Sequence, residues 1–324
     1  MRVLVTGGLG FAGIHLARHF AEKGAEVVVA DILEPDAQGL SFLEPVAEKV
    51  RIRFLEVRRR DAFEKLVRDE AIGQIIHAAA ITPDFETEQG RLDTVLDVNL
   101  VGALNAIIVA AHVPEVERLI LLSSSGLYGA PSDVPASLQH ENGALELDNL
   151  YAITKYSAEL VAQRCGALSG KRMISVRLAS IYGEMERPTG SREHMSHIKR
   201  LQDALRSGRR VRVAGKTIER DWMYAEDMAE AVWGLLNAPG WRYPLYNIGT
   251  EQAMSFQEIV EIFAQFGLDY VWVDDPQQAE IAMRPDQARA PLDISRLKAD
   301  THLAFPYPPA DRLEQYLSKS AGAT

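Results

Sequence analysis

The sequence predicts an α/β fold: a doubly wound parallel sheet followed by a smaller, less regular C-terminal part. Three observations carry that expectation. The first half holds six short runs that are apolar throughout rather than alternating, the pattern of strands buried on both faces. Segments with apolar residues at helical spacing separate these runs, so consecutive strands run parallel through right-handed crossovers. After about residue 180 this alternation gives way to short elements between turn signals, among them Pro239-Gly240, Pro244, Pro276, Pro285 and Pro291.

The elements follow in order. Residues 3–5 read as the first strand, and Ile14, Leu16, Ala17, Phe20 and Ala21 as the buried face of a helix that Gly24 ends. Residues 27–30 and 52–55 read as the second and third buried strands. Residues 61–67 look like a capped helix start, and 74–77 are the fourth strand. A long apolar helix is expected over 95–111, a fifth strand over 119–122, a helix over 151–168 and a sixth strand over 174–178. The expected division is a first domain of residues 1–179 and a second of residues 180–324. The segment at about 221–248 is expected to pack back on the first domain. The cleft between the two is the expected ligand site.

Composition narrows the partners. The 324 residues include 35 Lys+Arg against 45 Asp+Glu, a net charge of −10, which attracts neither nucleic acid nor anionic lipid. A small-molecule partner is expected, and an anionic one must be held by a local site. A lone cysteine, Cys165, permits no intrachain disulfide and suits a reducing cytoplasm. The apolar run at the N-terminus is too short for a signal peptide, and no window of some 18 uncharged apolar residues stands out, so no membrane span is expected. His194 and His197 are read as helix-surface residues, because no Cys or acid cluster accompanies them and no metal is expected. Trp222, Trp233 and Trp241 are read as core.

The first strand runs into Thr6-Gly7-Gly8-Leu9-Gly10-Phe11-Ala12-Gly13. Gly7 permits the tight turn, Gly10 lets a pyrophosphate approach the backbone, and Gly13 lets the helix pack close to the sheet. The amides at the helix start then face the phosphates. A three-glycine loop alone decides little; here a strand precedes it and a helix follows, as a Rossmann-type dinucleotide site requires. Asp31 closes the second strand at the distance where an acid accepts both adenosine ribose hydroxyls and repels a 2′-phosphate, which favours NAD over NADP.

The fifth strand ends in Ser123-Ser124-Ser125-Gly126-Leu127-Tyr128-Gly129, and Tyr151-Ala152-Ile153-Thr154-Lys155 follows later. Four residues apart on a helix, Tyr151 and Lys155 share a face. A free phenol is a poor base at neutral pH, but a nearby ammonium favours its phenolate. A serine hydroxyl at the end of a strand can polarise a substrate oxygen. A Tyr and Lys four apart are by themselves an ordinary helix surface; the glycine loop and the serine cluster ahead of them change that reading.

In combination these motifs resemble an extended short-chain dehydrogenase/reductase of the NAD-dependent epimerase/dehydratase family. The resemblance also rests on His77-Ala78-Ala79-Ala80, Val98-Asn99-Leu100, Arg177 to Gly183, Arg220 to Asp227, Tyr246 to Gly249 and Arg284-Pro285-Asp286. It implies Tyr151 as acid/base, Lys155 as its electrostatic partner and ribose ligand, and Ser124 as the donor to the substrate oxygen. Ser124 is preferred to Ser125 because the family's residue stands four before the tyrosine of Tyr128-Gly129. The resemblance further implies NAD contacts at Gly7, Gly10, Phe11, Ala12, Gly13, Asp31, Ala78, Ala79, Ala80 and Asn99. Ser125, Ser180, Arg220 and Arg284 are the implied substrate contacts, the two arginines at positions that grip a sugar-nucleotide diphosphate. Their alternative is an ion pair with Asp221 or Asp286. A homodimer is implied too, through the helices over 95–111 and 151–168.

The chain departs from the family in places. Arg58 stands where relatives often carry an adenine-contacting Asp; it either stacks on adenine or is a solvated basic turn. Ser125-Gly126 replaces the acid pair that 4,6-dehydration needs. Ser180 stands where relatives often carry Asn. Arg187 and Arg192 are read as a solvated loop. The leading functional expectation is an NAD-dependent nucleotide-sugar epimerase, most simply at C4. The alternative is an NAD-dependent dehydrogenase of a free sugar, sugar acid or polyhydroxy acid, and a non-catalytic NAD-binding regulator ranks last.

Overall fold

The computed structural model describes residues 2–83, 85–131, 137–189, 194–303, 305 and 307–321. Its strands are β1 (Arg2–Thr6), β2 (Glu26–Asp31), β3 (Val50–Phe54), β4 (Gln74–His77), β5 (Arg118–Ser124), β6 (Arg172–Leu178), β7 (Ser180–Tyr182), β8 (Val211–Ala214), β9 (Glu219–Tyr224), β10 (Leu245–Ile248), β11 (Ala253–Ser255), β12 (Tyr270–Trp272) and β13 (Ile281–Ala282). Seven of them form one parallel sheet in the order β10-β6-β5-β4-β1-β2-β3. The chain winds outward in both directions from β1, so the strand order reverses between β1 and β4. A crevice opens there beyond the carboxyl ends of the strands, where doubly wound sheets hold ligands. All six strands expected from the apolar runs are present, and the α/β class with a Rossmann-type sheet is the observed one.

Alternation along β1 sorts the core onto two faces. Val3 and Val5 pack with Leu16 and Phe20 of the helix Phe11–Glu22 and with Ala229 and Val232 of the helix Ala225–Asn237. Leu4 faces the other way, toward Ala103, Ile107 and Ala110 and toward Ala158 and Ala162 of the helix Leu150–Ser169. Burying such side chains on both faces contributes roughly 1.5–3 kcal/mol each. The helix Ala225–Asn237 packs on Phe11–Glu22, and β10 hydrogen-bonds to β6.

Two expectations need correction, the burial of the third strand and the place of His197. The third strand was expected to be buried, but β3 is the sheet edge. Arg51 and Arg53 are exposed there and pair with Glu70 at 3.2 and 2.6 Å, while Phe54 is 71% exposed. Charges on an edge strand discourage further pairing. The helix Leu92–His112 is long and apolar enough, by length and composition alone, to cross a membrane, with a mean hydropathy of 1.8. Half of it is buried against the sheet and neighbouring helices, which accounts for that composition. His197 is not on a helix surface: it is buried, and its Nε2 lies 2.9 Å from the Ala282 carbonyl.

The later part of the chain adds two three-stranded sheets, β11-β9-β7 and β12-β8-β13, around a third core that includes Leu201, Trp222, Phe256 and Phe263. Trp222 is buried there, and Trp233 and Trp241 pack against the first core.

Candidate active site

A cleft of about 1310 Å³ lies over the crevice. Its floor is the glycine turn. Gly7 has φ +63°, and a Cβ there would sit 2.6 Å from the Ala79 Cα. A Cβ on Gly13 would sit 2.2 Å from the Gly7 carbonyl oxygen. The helix Phe11–Glu22 opens at Gly10 with no side-chain cap and no acid in its first turn. The partial positive charge of that uncapped start suits a pyrophosphate. Gly10, Phe11, Ala12 and Gly13 line the cleft, with Ala78, Ala79 and Ala80 opposite them after β4.

Asp31 ends β2 inside this wall. It accepts the amides of Leu9 at 3.0 Å and Leu33 at 3.1 Å, and burial holds its carboxyl above the usual range. These features fit the dinucleotide NAD: an uncapped helix start for its phosphates and a buried acid for its ribose. Asn99 does not line the cleft. It is buried in a π-helical turn (Asp97–Val101), and its side-chain amide grips the Ile81 backbone through Oδ1 at 2.7 Å and Nδ2 at 2.8 Å. It thus fixes the chain that follows Ala80. Arg58 lies on the wall, with its guanidinium paired to Glu56 at 2.6 Å.

The serine, tyrosine and lysine singled out by the sequence converge from two elements. β5 ends at Ser124, whose Oγ accepts the Gly126 amide at 3.0 Å. Ser125 follows in a short 3-10 turn and is 5% exposed. The helix Leu150–Ser169 starts where Asn149 caps the Ala152 amide at 2.9 Å, which puts Tyr151 in the first turn and Lys155 one turn on. The Lys155 Nζ stands 5.6 Å from the centre of the Tyr151 ring and donates to the Leu122 carbonyl at 2.8 Å. Burial pushes the Lys155 ammonium down to about 8, against the opposing charge of Glu159. Ser124, Ser125, Tyr151 and Lys155 all line the one cleft.

Behind them lies a buried network whose function went unread in the sequence. The Ser123 hydroxyl donates to Glu159 at 2.5 Å. Glu159 receives Arg177 at 3.0 and 2.6 Å, and that guanidinium covers the Tyr128 ring at 4.7 Å. The Tyr128 hydroxyl donates to Asn247 at 2.8 Å. One chain of contacts therefore ties β5, β6 and β10 together under the site. Glu159 stands four residues after Lys155 on the same helical face, a signal available in the sequence.

On the other side Ser180, Arg220 and Arg284 line the cleft. The Arg220 guanidinium stacks by the Trp222 ring at 5.4 Å, its Nε is enclosed without a partner, and burial, with Arg289 nearby, pushes it down to about 9. Arg284 is exposed and pairs with Asp286 at 3.3 Å, the alternative the sequence left open. Arg187 is not solvated: its side chain is 11% exposed and pairs with Asp36 at 2.7 Å. Arg192 lies outside the described residues. Arg289, five residues after Arg284, is a cleft residue that the motifs did not single out.

A family profile described as NAD dependent epimerase/dehydratase family matches residues 3–249. The chain belongs to the NAD dependent epimerase/dehydratase family. As a member it is an NAD-dependent enzyme of the extended short-chain dehydrogenase/reductase type. Among its relatives is a putative UDP-glucose 4-epimerase of Methanocaldococcus jannaschii, 26% identical over 283 residues, covering 86% of this chain and 87% of the relative. A probable UDP-glucuronate 4-epimerase of Rhizobium meliloti is 28% identical over 248 residues, covering 74% of this chain and 69% of the relative. Among solved structures, a Thermus thermophilus UDP-glucose 4-epimerase complexed with NAD superimposes with a TM-score of 0.79 at 22% identity over the whole of both chains, a likeness of fold.

Proposed function

We propose that this family member is an NAD-dependent 4-epimerase of a nucleotide sugar. The observation that carries the reading is the convergence of Ser124, Tyr151 and Lys155 on one cleft that is continuous with the glycine cradle and reaches Arg220. In this reading residues 1–179 carry cofactor and chemistry, and residues 180–324 mainly form the substrate wall. NAD supplies the hydride acceptor and, once reduced, the donor. Tyr151, held toward its phenolate by the Lys155 ammonium, takes the proton of the sugar hydroxyl. Ser124 and Ser125 hold the oxygen as it becomes a carbonyl. Ser180, Arg220 and Arg284 orient the substrate, and turning of the keto sugar in the cleft presents its other face for reduction. A charged guanidinium enclosed at Arg220 suits a diphosphate in a protein of net charge −10.

A second reading, net oxidation of a sugar acid with release of NADH, is kept because Arg284 is paired with Asp286 at the exposed rim. The protein is incubated with UDP- and GDP-sugars and with free sugar acids while reduced-nicotinamide absorbance is followed. Interconversion of a nucleotide sugar without net NADH supports the epimerase. Stoichiometric NADH from a free sugar acid, with every nucleotide sugar inert, replaces it with the dehydrogenase. A homodimer in the cytoplasm belongs to the same proposal: Leu92, Leu96 and Val101 on one helix and Ile153, Leu160 and Leu168 on another are exposed. Light scattering that gives a monomer mass removes that part.

A further inference from the structure

The cleft contains more cationic charge than one diphosphate site at Arg220 explains. Arg289 also lines it, and its Nε, like that of Arg220, is enclosed without a hydrogen-bond partner. Its Nη1 is spent on its own turn, donating to the carbonyls of Asp286 at 2.8 Å and Ala288 at 2.6 Å. Asp148, Asp286 and Glu146 are near enough to favour its charge, yet among the described residues none closes an ion pair with it. Burial works against that charge. The Arg289 amide bonds to the Glu219 carbonyl at 3.0 Å, next to Arg220, and the charge of Arg289 is near enough to disfavour that of Arg220. Enclosed like charges of this kind are costly unless an anion joins them.

The position of Arg289 says where on the substrate that anion sits. A second cavity of about 180 Å³ adjoins the cleft, and Ser125 and Arg289 line both spaces. Tyr128 and Gln139 are also on its wall. Arg289 therefore faces the Ser125 end, where the reacting sugar lies in the proposed function, while Arg220 is available to the phosphates.

We propose that Arg289 binds a carboxylate carried by the sugar itself, so that the substrate is a uronic or other sugar acid. The inference deepens the proposed function and rests on its placement of the reacting sugar at Ser124 and Ser125. A guanidinium offers a carboxylate two parallel donors, which an uncharged hydroxymethyl group cannot match.

The test compares ligand pairs that differ only in that carboxylate. The NAD-loaded protein is titrated calorimetrically with UDP-glucuronic acid and UDP-glucose, and in parallel with free glucuronate and glucose. In at least one pair the acid binds about tenfold or more tightly. Arg289→Met brings that ratio close to one, and Arg289→Lys retains part of it. Thermal unfolding and NAD affinity of both variants confirm that they fold. Equal binding within both pairs, binding of none of the four, or an acid preference that survives Arg289→Met overturns the proposal. Failure of both UDP-sugars to bind, with free glucuronate preferred over glucose through Arg289, rejects the nucleotide-sugar reading and leaves the carboxylate site standing.

Discussion

The Asp221 carboxylate accepts the backbone amide of Leu292 at 3.0 Å. The same group takes the Thr250 amide at 3.1 Å and the Thr250 hydroxyl at 2.7 Å. β9 is thereby clamped to the segment that carries Arg284 and Arg289, and Arg220 is set beside Arg289. Burial pushes the Asp221 carboxyl up to about 6, although these donors favour its ionised form.

That clamp has a pH signature. Between about 4 and 6 the folded protein keeps a proton on Asp221 that the unfolded chain has released. Unfolding therefore releases a proton, and the group's contribution is full below about 4 and lost as pH rises through about 6. The decline amounts to about 3 kcal/mol at most. Asp221→Asn removes this slope, because no carboxyl titrates. Urea unfolding at a series of pH values for both proteins measures it; an unchanged slope in the variant contradicts the assignment.

Removing the Tyr151 hydroxyl as Tyr151→Phe is expected to lower turnover by a factor of about a hundred to ten thousand while NAD binding is retained. Steady-state rates beside an NAD titration separate the two effects.

If Lys155 supports Tyr151 as proposed, turnover is expected to have an alkaline limit. Its amine is an ammonium below about 8 and neutral above, so support for the Tyr151 phenolate falls away as pH rises through that value. Lys155→Arg, whose guanidinium stays charged, moves that limit above about pH 10 in whatever activity it retains. The pH profile of kcat for both proteins decides it.

The glycine cradle has no room for a methyl group. Gly13→Ala would place a Cβ 2.2 Å from the Gly7 carbonyl oxygen and 2.7 Å from the Gly8 Cα, both backbone atoms. Relief requires the turn to shift, at a cost of about 1–3 kcal/mol in stability. NAD affinity falls with it, as thermal unfolding and calorimetric titration would read.

Arg177 and Glu159 form a buried ion pair under the site. Glu159→Ala leaves Arg177, 2% exposed, without its carboxylate. A loss of about 3–5 kcal/mol is expected in denaturant unfolding. Combining it with Arg177→Met recovers much of that loss, since the stranded charge is then gone.

The parts legible in the sequence were those determined locally. Strands buried on both faces show as largely apolar runs, and the glycine turn shows because only glycine tolerates the Gly7 φ and the closeness of Gly13 to Gly7. Tyr151 and Lys155 were readable because a helix puts residues four apart on one face. β3 misled although Arg51 and Arg53 alternate there with Val50, Ile52 and Phe54, a pattern that marks a charged, exposed edge rather than a strand buried on both faces. His197 misled too: the absence of companion ligands argued against a metal but said nothing of burial, and β13 packs over it.

By itself, then, the sequence determined the fold class and the glycine turn, both set by short-range spacing, and singled out Ser124, Tyr151 and Lys155 as the candidate trio through the resemblance they carry. Tertiary structure alone decided that Asn99 works from behind the wall, that Arg187 is held by Asp36, and that Arg284 stays at the rim while Arg289 joins Arg220 inside. Each outcome depends on which distant carboxylate or carbonyl the fold brings within hydrogen-bonding reach. A charge with a partner at 3 Å is a brace, and a charge enclosed without one is a place for a ligand.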